Sequence, residues 1–180
     1  MKINQTELAV IRGSVLEQNA DAIVNAANTG MRGGSALDGA IHRAAGPEMM
    51  AELERAAPDG AETAEVVVTR AHDLPQKWVF HVAGPVWKTG RESECDAELS
   101  DAYLNCLLEA DARELESLAC PSLSTGVYAF PLERAAPLAL QTVADFLREH
   151  PETSLREVTF AMFGGPEHHE FRRALEKLDA

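Results

Sequence analysis

The sequence predicts an α/β domain in three layers, with a central sheet covered by helices on both faces. Short apolar runs rich in β-branched residues alternate with longer segments whose apolar residues recur every three or four positions. The chain has no internal repeat, low-complexity tract or linker. Its 180 residues are enough to build one full core. We therefore expect a single domain over residues 1–180.

Six segments are predicted to be strands. Each is short and apolar and is bounded by turn-forming or polar residues, as is typical of buried strands. In chain order they are residues 8–11, 22–24, 65–70, 78–82, 118–121 and 158–163.

The helices follow from apolar residues at helical spacing and from Gly and Pro at the boundaries. They are predicted over residues 38–45, 48–56, 99–110, 135–147 and 167–178. Residues 15–20 are expected to be a connection, and the polar residues 88–96 an exposed loop. Ligands of such alternating folds usually bind at the carboxyl ends of the strands.

The chain is strongly acidic, with 16 Lys and Arg against 29 Asp and Glu and a net charge of -13. This charge argues against affinity for nucleic acid, which requires clustered cations. It leaves an anionic small molecule possible, because main-chain amides can bind phosphate in an acidic protein. The simplest explanation of the charge is solubility.

Cysteine usage and hydropathy exclude several other classes. Three cysteines without C-x-x-C or paired histidine spacing argue against a disulfide framework and a zinc site. No apolar run approaches the length of a membrane span, and no leader-like segment is present. We therefore expect a cytoplasmic protein that binds no membrane and needs no metal or cofactor.

A loop rich in glycine follows the second predicted strand. Asn25 and Asn28 open this loop, Asp38 begins the next helix, and the glycines between them are Gly30, Gly33 and Gly34. Free amides and the positive end of the helix dipole attract phosphate at such a junction, and glycine permits close approach. Since asparagine can hydrogen-bond sugar hydroxyls, the loop predicts a pocket for a phosphorylated ribose.

Three more strand ends carry unusual residues that this fold could bring to the same edge. They are Gly13-Ser14-Val15, Phe163-Gly164-Gly165 and the segment from Ser124 to Phe130, which combines hydroxyls with Tyr128.

Each of these residues also has a purely structural explanation. Asn25 and Asn28 could be turn formers, and Asp38 could be a helix N-cap. His42 and His81 are more often structural, with His81 a hydrogen-bonded core residue, and Tyr128 and Phe163 could belong to the core. The loop lacks G-x-G-x-x-G and G-x-x-x-x-G-K-[ST], which argues against a Rossmann or P-loop nucleotide site.

Taken together, the motifs resemble those of macrodomains, specifically the MacroD type of ADP-ribose-binding and ADP-ribosyl-hydrolysing proteins. The matching pieces are Asn25-Ala-Ala-Asn28, the run from Gly33-Gly34 through Leu37-Asp38-Gly39-Ala40-Ile41-His42 to Gly46, the segment from Leu74-Pro75 to Gly84-Pro85, and Ser124-Thr125-Gly126-Val127-Tyr128 with Pro131. Their order and spacing agree over nearly the whole chain.

The resemblance implies a mixed, mostly parallel six-stranded sheet with ADP-ribose in a cleft at the strand ends. It assigns Asp38, Asn25 and Asn28 to catalysis around the distal ribose, with Tyr128 packed against that sugar. Phe163 would stack on adenine. The remaining implied ligand-binding residues are Ser14, Val15, Ala26, Gly33, Gly34, Ser35, Ala36, Leu37, Ser124, Thr125, Gly126 and Val127.

Two departures from the family pattern bear on this expectation. Ser14 stands where the family commonly has an aspartate that receives the adenine amino group. A neutral hydroxyl is a weaker acceptor than a carboxylate, so we expect about tenfold weaker adenine recognition. Ser35 and Ala36 also interrupt the family's run of glycines, and their side chains could stiffen the loop or change how closely it follows the diphosphate.

The resemblance favours an enzyme that cleaves the ester joining ADP-ribose to acidic side chains of proteins, or that deacetylates O-acetyl-ADP-ribose. Asp38 would orient or deprotonate the attacking water. The alternative is a non-catalytic reader that releases ADP-ribose unchanged. The expected partners are ADP-ribose and ADP-ribosylated proteins, and the expected state is a monomer.

Overall fold

The computed structural model describes residues 1–34 and 36–179. Over these residues the chain forms the expected mixture of strands and helices. The strands are β1 (Lys2–Ile3), β2 (Thr6–Arg12), β3 (Ala22–Ala26), β4 (Val66–Arg70), β5 (Trp78–Val82), β6 (Ser117–Cys120) and β7 (Glu157–Met162). The α-helices are α1 (Ala36–Ala45), α2 (Pro47–Ala56), α3 (Glu92–Ala112), α4 (Leu132–Glu149) and α5 (Gly165–Asp179), and Val15–Glu17 forms one turn of 3-10 helix.

The strands form one mixed sheet in the order β1-β2-β7-β6-β3-β5-β4. The edge strands β1 and β4 run antiparallel to their neighbours, and the four pairings between β2 and β5 are parallel. The sheet therefore has seven strands in the described residues, and the prediction of six was wrong. The missed strand, β1, has two residues, which is too short to display an alternating pattern.

Alternating side chains on the central strands separate the two sides of the core. Val24 and Phe80 belong to a cluster that includes residues of α3, α4 and α5. Ile23 and Val79 belong to a second cluster with residues of α1 and α2. Because strand side chains point alternately to opposite faces, the sheet is the middle of three layers, which confirms the predicted class.

Two predicted boundaries were wrong in ways that matter for the site. Helix α3 begins at Glu92, so part of the segment 88–96 is helical and not a loop. Strand β3 continues through Asn25 to Ala26. Asn25 is fully buried and pairs with His81 of β5, so it lies in the sheet and not in the loop that follows.

None of the described helices has both the length and the apolar character that crossing a membrane would require.

Candidate active site

A two-chambered cleft lies where parallel strands end. Its larger chamber has a volume of about 490 Å³ and its smaller chamber about 330 Å³. The segments that follow β2, β3, β6 and β7 all contribute to its walls, as expected for a parallel sheet. Both chambers are lined by Ala36 and Leu37 from the start of α1 and by Ser122 and Gly126 from the loop after β6. The two loops therefore meet at the junction of the chambers.

No Lys or Arg is among the described residues that line either chamber. An anion at the junction would therefore contact main-chain groups and not cationic side chains. Helix α1 begins there, and the first amides of a helix have no partner within it. These amides and the helix dipole favour an anion at the junction. The arrangement suits a neutral cradle for phosphate in an acidic protein.

Asp38 is the carboxylate of the smaller chamber. It lies in the first turn of α1 and is only 5% exposed. Its Oδ1 accepts a hydrogen bond of 2.8 Å from Asn25 Nδ2. A Cβ built on Gly34 would lie 3.0 Å from Oδ2, so that oxygen faces the glycine loop. Asn25 thus holds Oδ1 from the side of β3, and Oδ2 faces the glycine loop, which lines the chamber.

A chain of hydrogen bonds holds Asn25 in place. Asn25 and His81 are paired in the register of β3 and β5, and both are fully buried. Asn25 Nδ2 lies 3.1 Å from His81 Nδ1, and His81 Nε2 lies 2.9 Å from Thr69 Oγ1. Since the amide nitrogen can only donate, His81 Nδ1 accepts and the ring proton sits on Nε2, which donates to Thr69.

His81 is a neutral component of this chain. Burial lowers the pKa of His81 from 6.5 to about 3; nearby His42 acts in the same direction and Asp38 opposes it. The prediction that His81 is a hydrogen-bonded core residue is confirmed.

His42 lies one helical turn beyond Asp38. Its Nε2 is 3.3 Å from Asp38 Oδ1, but the pair lacks hydrogen-bond geometry. Neither ring nitrogen of His42 has a hydrogen-bond partner among the described residues. The ring centroids of His42 and His81 are 5.9 Å apart. His42 therefore lies beside Asp38 without bonding to it, and the hydrogen bond to Asp38 comes from Asn25.

The glycine loop is shaped by Asn28. Its Nδ2 donates to the Gly33 carbonyl oxygen at 3.1 Å, and its Oδ1 accepts from the Gly30 amide at 3.0 Å. On α1, a Cβ built on Gly39 would lie 2.7 Å from the Gly34 carbonyl oxygen, so the loop packs directly on the helix. Ala36 has φ of 53°, a left-handed conformation that glycine adopts more readily.

The second loop is anchored from below by Tyr103 of α3. The buried Tyr103 hydroxyl donates to the Pro121 carbonyl at 3.0 Å and accepts from the Leu123 amide at 2.8 Å. Burial raises the pKa of Tyr103 well above 10, so the hydroxyl keeps its proton. Further along, the Trp87 amide donates to the Tyr128 carbonyl at 2.8 Å.

Ser124 sits at the turn of this loop in a left-handed conformation, with φ of 66°. Its buried Oγ has no hydrogen-bond partner among the described residues. Gly84 passes so close to this oxygen that any side chain at position 84 would overlap it. Ser124 lines the smaller chamber, so an unused hydroxyl stands at its wall.

The larger chamber opens beside an exposed aromatic ring. Phe163 follows β7 and is 85% exposed although it lines the chamber. Ser14 lines the same chamber and caps the 3-10 turn, its Oγ accepting from the Leu16 amide at 3.2 Å. Part of the acceptor capacity of Ser14 is therefore already used.

Most of the site residues predicted from the sequence lie around this cleft. Those that line it are Ser14, Val15, Ala26, Asn28, Gly34, Ala36, Leu37, Asp38, Ser124, Thr125, Gly126, Val127, Tyr128 and Phe163. Asn25 and Gly33 are not among the lining residues; Asn25 lies behind Asp38, and Gly33 accepts the bond from Asn28. Ser35, also predicted to contact ligand, lies outside the described residues.

Several lining residues were missed by the sequence-based list. They are Ala27, Ala40, Gly84, Pro121, Ser122, Ala161, Met162 and Glu167. Ala40 could have been found, because it lies one helical turn from Ala36 and Leu37. Glu167 carried no signal, because an acidic residue in the first turn of a helix is ordinary.

Comparison with known proteins identifies relatives over most of the chain. The Macro domain family model matches residues 24–139. A macro domain-containing protein of Caldanaerobacter subterraneus subsp. tengcongensis is 42% identical over 175 residues, 96% of this chain and 98% of that protein. An O-acetyl-ADP-ribose deacetylase of Salmonella newport is 44% identical over 147 residues, 81% of this chain and 82% of that protein.

Solved structures share the fold. A mutant of the Oceanobacillus iheyensis macrodomain with ADPR has a TM-score of 0.92 and 32% identity, covering 99% of this chain and 97% of that chain. The Trypanosoma brucei macrodomain in complex with ADP-ribose has a TM-score of 0.84 and 37% identity, covering 93% of this chain and 68% of that chain.

Proposed function

We propose that this chain, which belongs to the Macro domain family, binds ADP-ribose in the cleft and hydrolyses esters of the distal ribose. The deacetylase activity in the names of relatives at 44% identity supports hydrolysis of O-acetyl-ADP-ribose. The ester that joins mono-ADP-ribose to acidic side chains of proteins is the second proposed substrate, because it presents the same bond on the same sugar.

The shape of the cleft supports this ligand. The diphosphate would lie at the junction, against the first amides of α1 and the Ser122–Gly126 side of the second loop. Adenosine would occupy the larger chamber, where the exposed ring of Phe163 offers a stacking surface. The distal ribose would then occupy the smaller chamber beside Asp38 and Tyr128.

Asp38 carries the proposed chemistry. Water attacks the ester carbonyl carbon, and Asp38 orients this water and accepts its proton. The tetrahedral intermediate then releases the ribose oxygen, which takes up a proton, so that the products are ADP-ribose and a carboxylic acid. Held by Asn25, the carboxylate needs little rearrangement, and such positioning contributes much of the rate.

The rim of the smaller chamber supports a protein-linked substrate. Val127 lines this chamber and is 94% exposed, so the distal end of the cleft opens to solvent. A modified protein attached to the distal ribose could therefore remain outside while the sugar is bound.

The test is Asp38→Ala, followed by two measurements on the purified chain. Hydrolysis of O-acetyl-ADP-ribose and of a glutamate-linked mono-ADP-ribosylated protein should be lost, because the water is no longer oriented. ADP-ribose binding measured by calorimetry should persist, because the main-chain cradle is unchanged.

Asp101→Ala, at an exposed position on α3, is the matched control and should retain full turnover. Unchanged turnover in Asp38→Ala would remove Asp38 from the mechanism. Binding without turnover in the wild-type protein would identify a reader module instead.

A further inference from the structure

Among the described residues that line the larger chamber, Glu167 is the one with a charged side chain. It lies in the first turn of α5. Its Oε2 is so close to Gly164, another lining residue, that a side chain at position 164 would overlap it. The carboxylate therefore folds back over the chamber wall that begins at Phe163.

Glu167 differs from the two other glutamates of α5 in having no salt-bridge partner among the described residues. Glu170 and Glu176, on the same helix, pair with Arg173 and Arg172 at 3.9 Å and 3.2 Å. Within residues 1–34 and 36–179, the side-chain carboxylate of Glu167 has no partner in an ion pair or a hydrogen bond. A glutamate at this position of a helix often accepts from the amide just before the helix, but the described contacts include no such bond to Gly164.

The other side-chain oxygens of the chamber are neutral and already engaged. Ser14 Oγ accepts from the Leu16 amide. The hydroxyls of Ser122 and Thr125 are paired with each other at 2.6 Å. A carboxylate is a stronger acceptor than a hydroxyl, and Glu167 is the one carboxylate among the described residues that line this chamber.

We propose that Glu167 accepts a hydrogen bond from the 6-amino group of the adenine base and so makes the site prefer adenine to a 6-oxo purine. This inference rests on the proposed binding of ADP-ribose. It assigns to α5 the charged acceptor that Ser14 cannot supply. A carboxylate opposite the 6-oxo group of hypoxanthine faces another acceptor, so that base is disfavoured.

The experiment measures the affinities of ADP-ribose and of its hypoxanthine analogue for the wild-type chain and for Glu167→Gln by calorimetry. The wild-type protein should bind ADP-ribose roughly tenfold more tightly than the analogue, since a charge-assisted hydrogen bond is about twice as strong as a neutral one. In Glu167→Gln, the affinity for ADP-ribose should fall by roughly the same factor. The analogue should bind as well as before or better, because the carboxamide can donate to the 6-oxo group.

Glu170→Gln is the matched control, because it removes the same charge from the same helix outside the chamber. Its preference for ADP-ribose should equal that of the wild type. An unchanged preference in Glu167→Gln, or equal weakening of both nucleotides, would overturn the role of Glu167 and leave the proposed function intact. Failure of the wild-type chain to bind ADP-ribose at all would refute the proposed function itself.

Discussion

Asn25 determines how Asp38 is presented to the cleft. Its amide group donates one hydrogen bond to Asp38 and another to His81, so the orientations of these three buried side chains depend on one another. The predicted strand ended at Val24, two residues before the end of β3 at Ala26, and the resemblance to macrodomains placed Asn25 at the ribose. In the structure Asn25 lies on β3 and hydrogen-bonds Asp38 of α1, and we predict that it acts by positioning this carboxylate.

The neutrality of His81 makes this arrangement sensitive to acid. Its pKa is about 3 in the folded protein and 6.5 in the unfolded chain, so between these values the unfolded state binds the proton and the folded state does not. Stability due to this group is complete above pH 6.5 and declines as the pH falls towards 3. From pH 7 to 5 the loss should be about 2 kcal/mol.

Urea unfolding of the wild type and His81→Gln at both pH values measures this contribution. The variant lacks the titrating ring, so its free energy of unfolding should fall by about 2 kcal/mol less than that of the wild type. His169→Gln, at an exposed histidine of α5, is the control and should follow the wild type. If the His81 variant follows the wild type as well, the pKa of His81 is not lowered in the folded protein.

Among the secondary-structure elements, α1 links the two chambers through its first turn. Its N-terminus forms the junction, Asp38 projects from its first turn, and Gly39 lets the glycine loop pack on it. This close packing fixes the distance between the proposed diphosphate cradle and the carboxylate.

Gly39→Ala tests whether packing or helix propensity dominates in α1. Alanine favours a helix by about 1 kcal/mol over glycine. Its Cβ would nevertheless lie 2.7 Å from the Gly34 carbonyl oxygen, so the loop must shift. We expect a net loss of about 1–3 kcal/mol in stability, typical of overpacking, and weaker ADP-ribose binding.

Thermal unfolding and calorimetry give the two readouts for Gly39→Ala. Gly165→Ala at the start of α5 is the control, because its new Cβ would find its nearest neighbour, an Arg12 nitrogen, at 3.8 Å. This control should keep its stability and its binding. If Gly39→Ala is more stable than the wild type and binds ADP-ribose with unchanged affinity, the glycine loop shifts away from the new Cβ without loss of stability or binding.

The whole molecule carries a net charge of -13, of the same sign as the proposed ligand. With no Lys or Arg among the described lining residues, long-range repulsion opposes association and short-range main-chain contacts favour it. Salt screens the repulsion over distances of about 10 Å at 0.1 M and acts less on the contacts inside the cleft.

ADP-ribose affinity should therefore rise by roughly two- to fivefold between about 10 mM and 150 mM sodium chloride. Calorimetry across that range measures the slope. The matched comparison uses adenosine, which is uncharged and should show little dependence on salt. A steep loss of ADP-ribose affinity with salt would instead indicate cationic side chains at the phosphates, as in nucleic-acid binding.

Local patterns were sufficient for much of the fold and for the identity of the two loops. The six longer strands are indicated by short apolar runs between turn-forming residues, and the helices were located to within a few residues except for α3. There the first turns are polar and lack the apolar spacing that predicts a helix. The strand β1 was missed because two residues carry no period and pair only through contacts with β2.

The sequence by itself determined the layered α/β class, the acidic character and the two loops, because these depend on composition, spacing and residue type. Tertiary structure decided that Asn25 lies behind Asp38, that His81 stays neutral and that Glu167 reaches the larger chamber. Each of these depends on which strands are neighbours and on burial between them. Such contacts join residues far apart in the chain, and no local pattern records them.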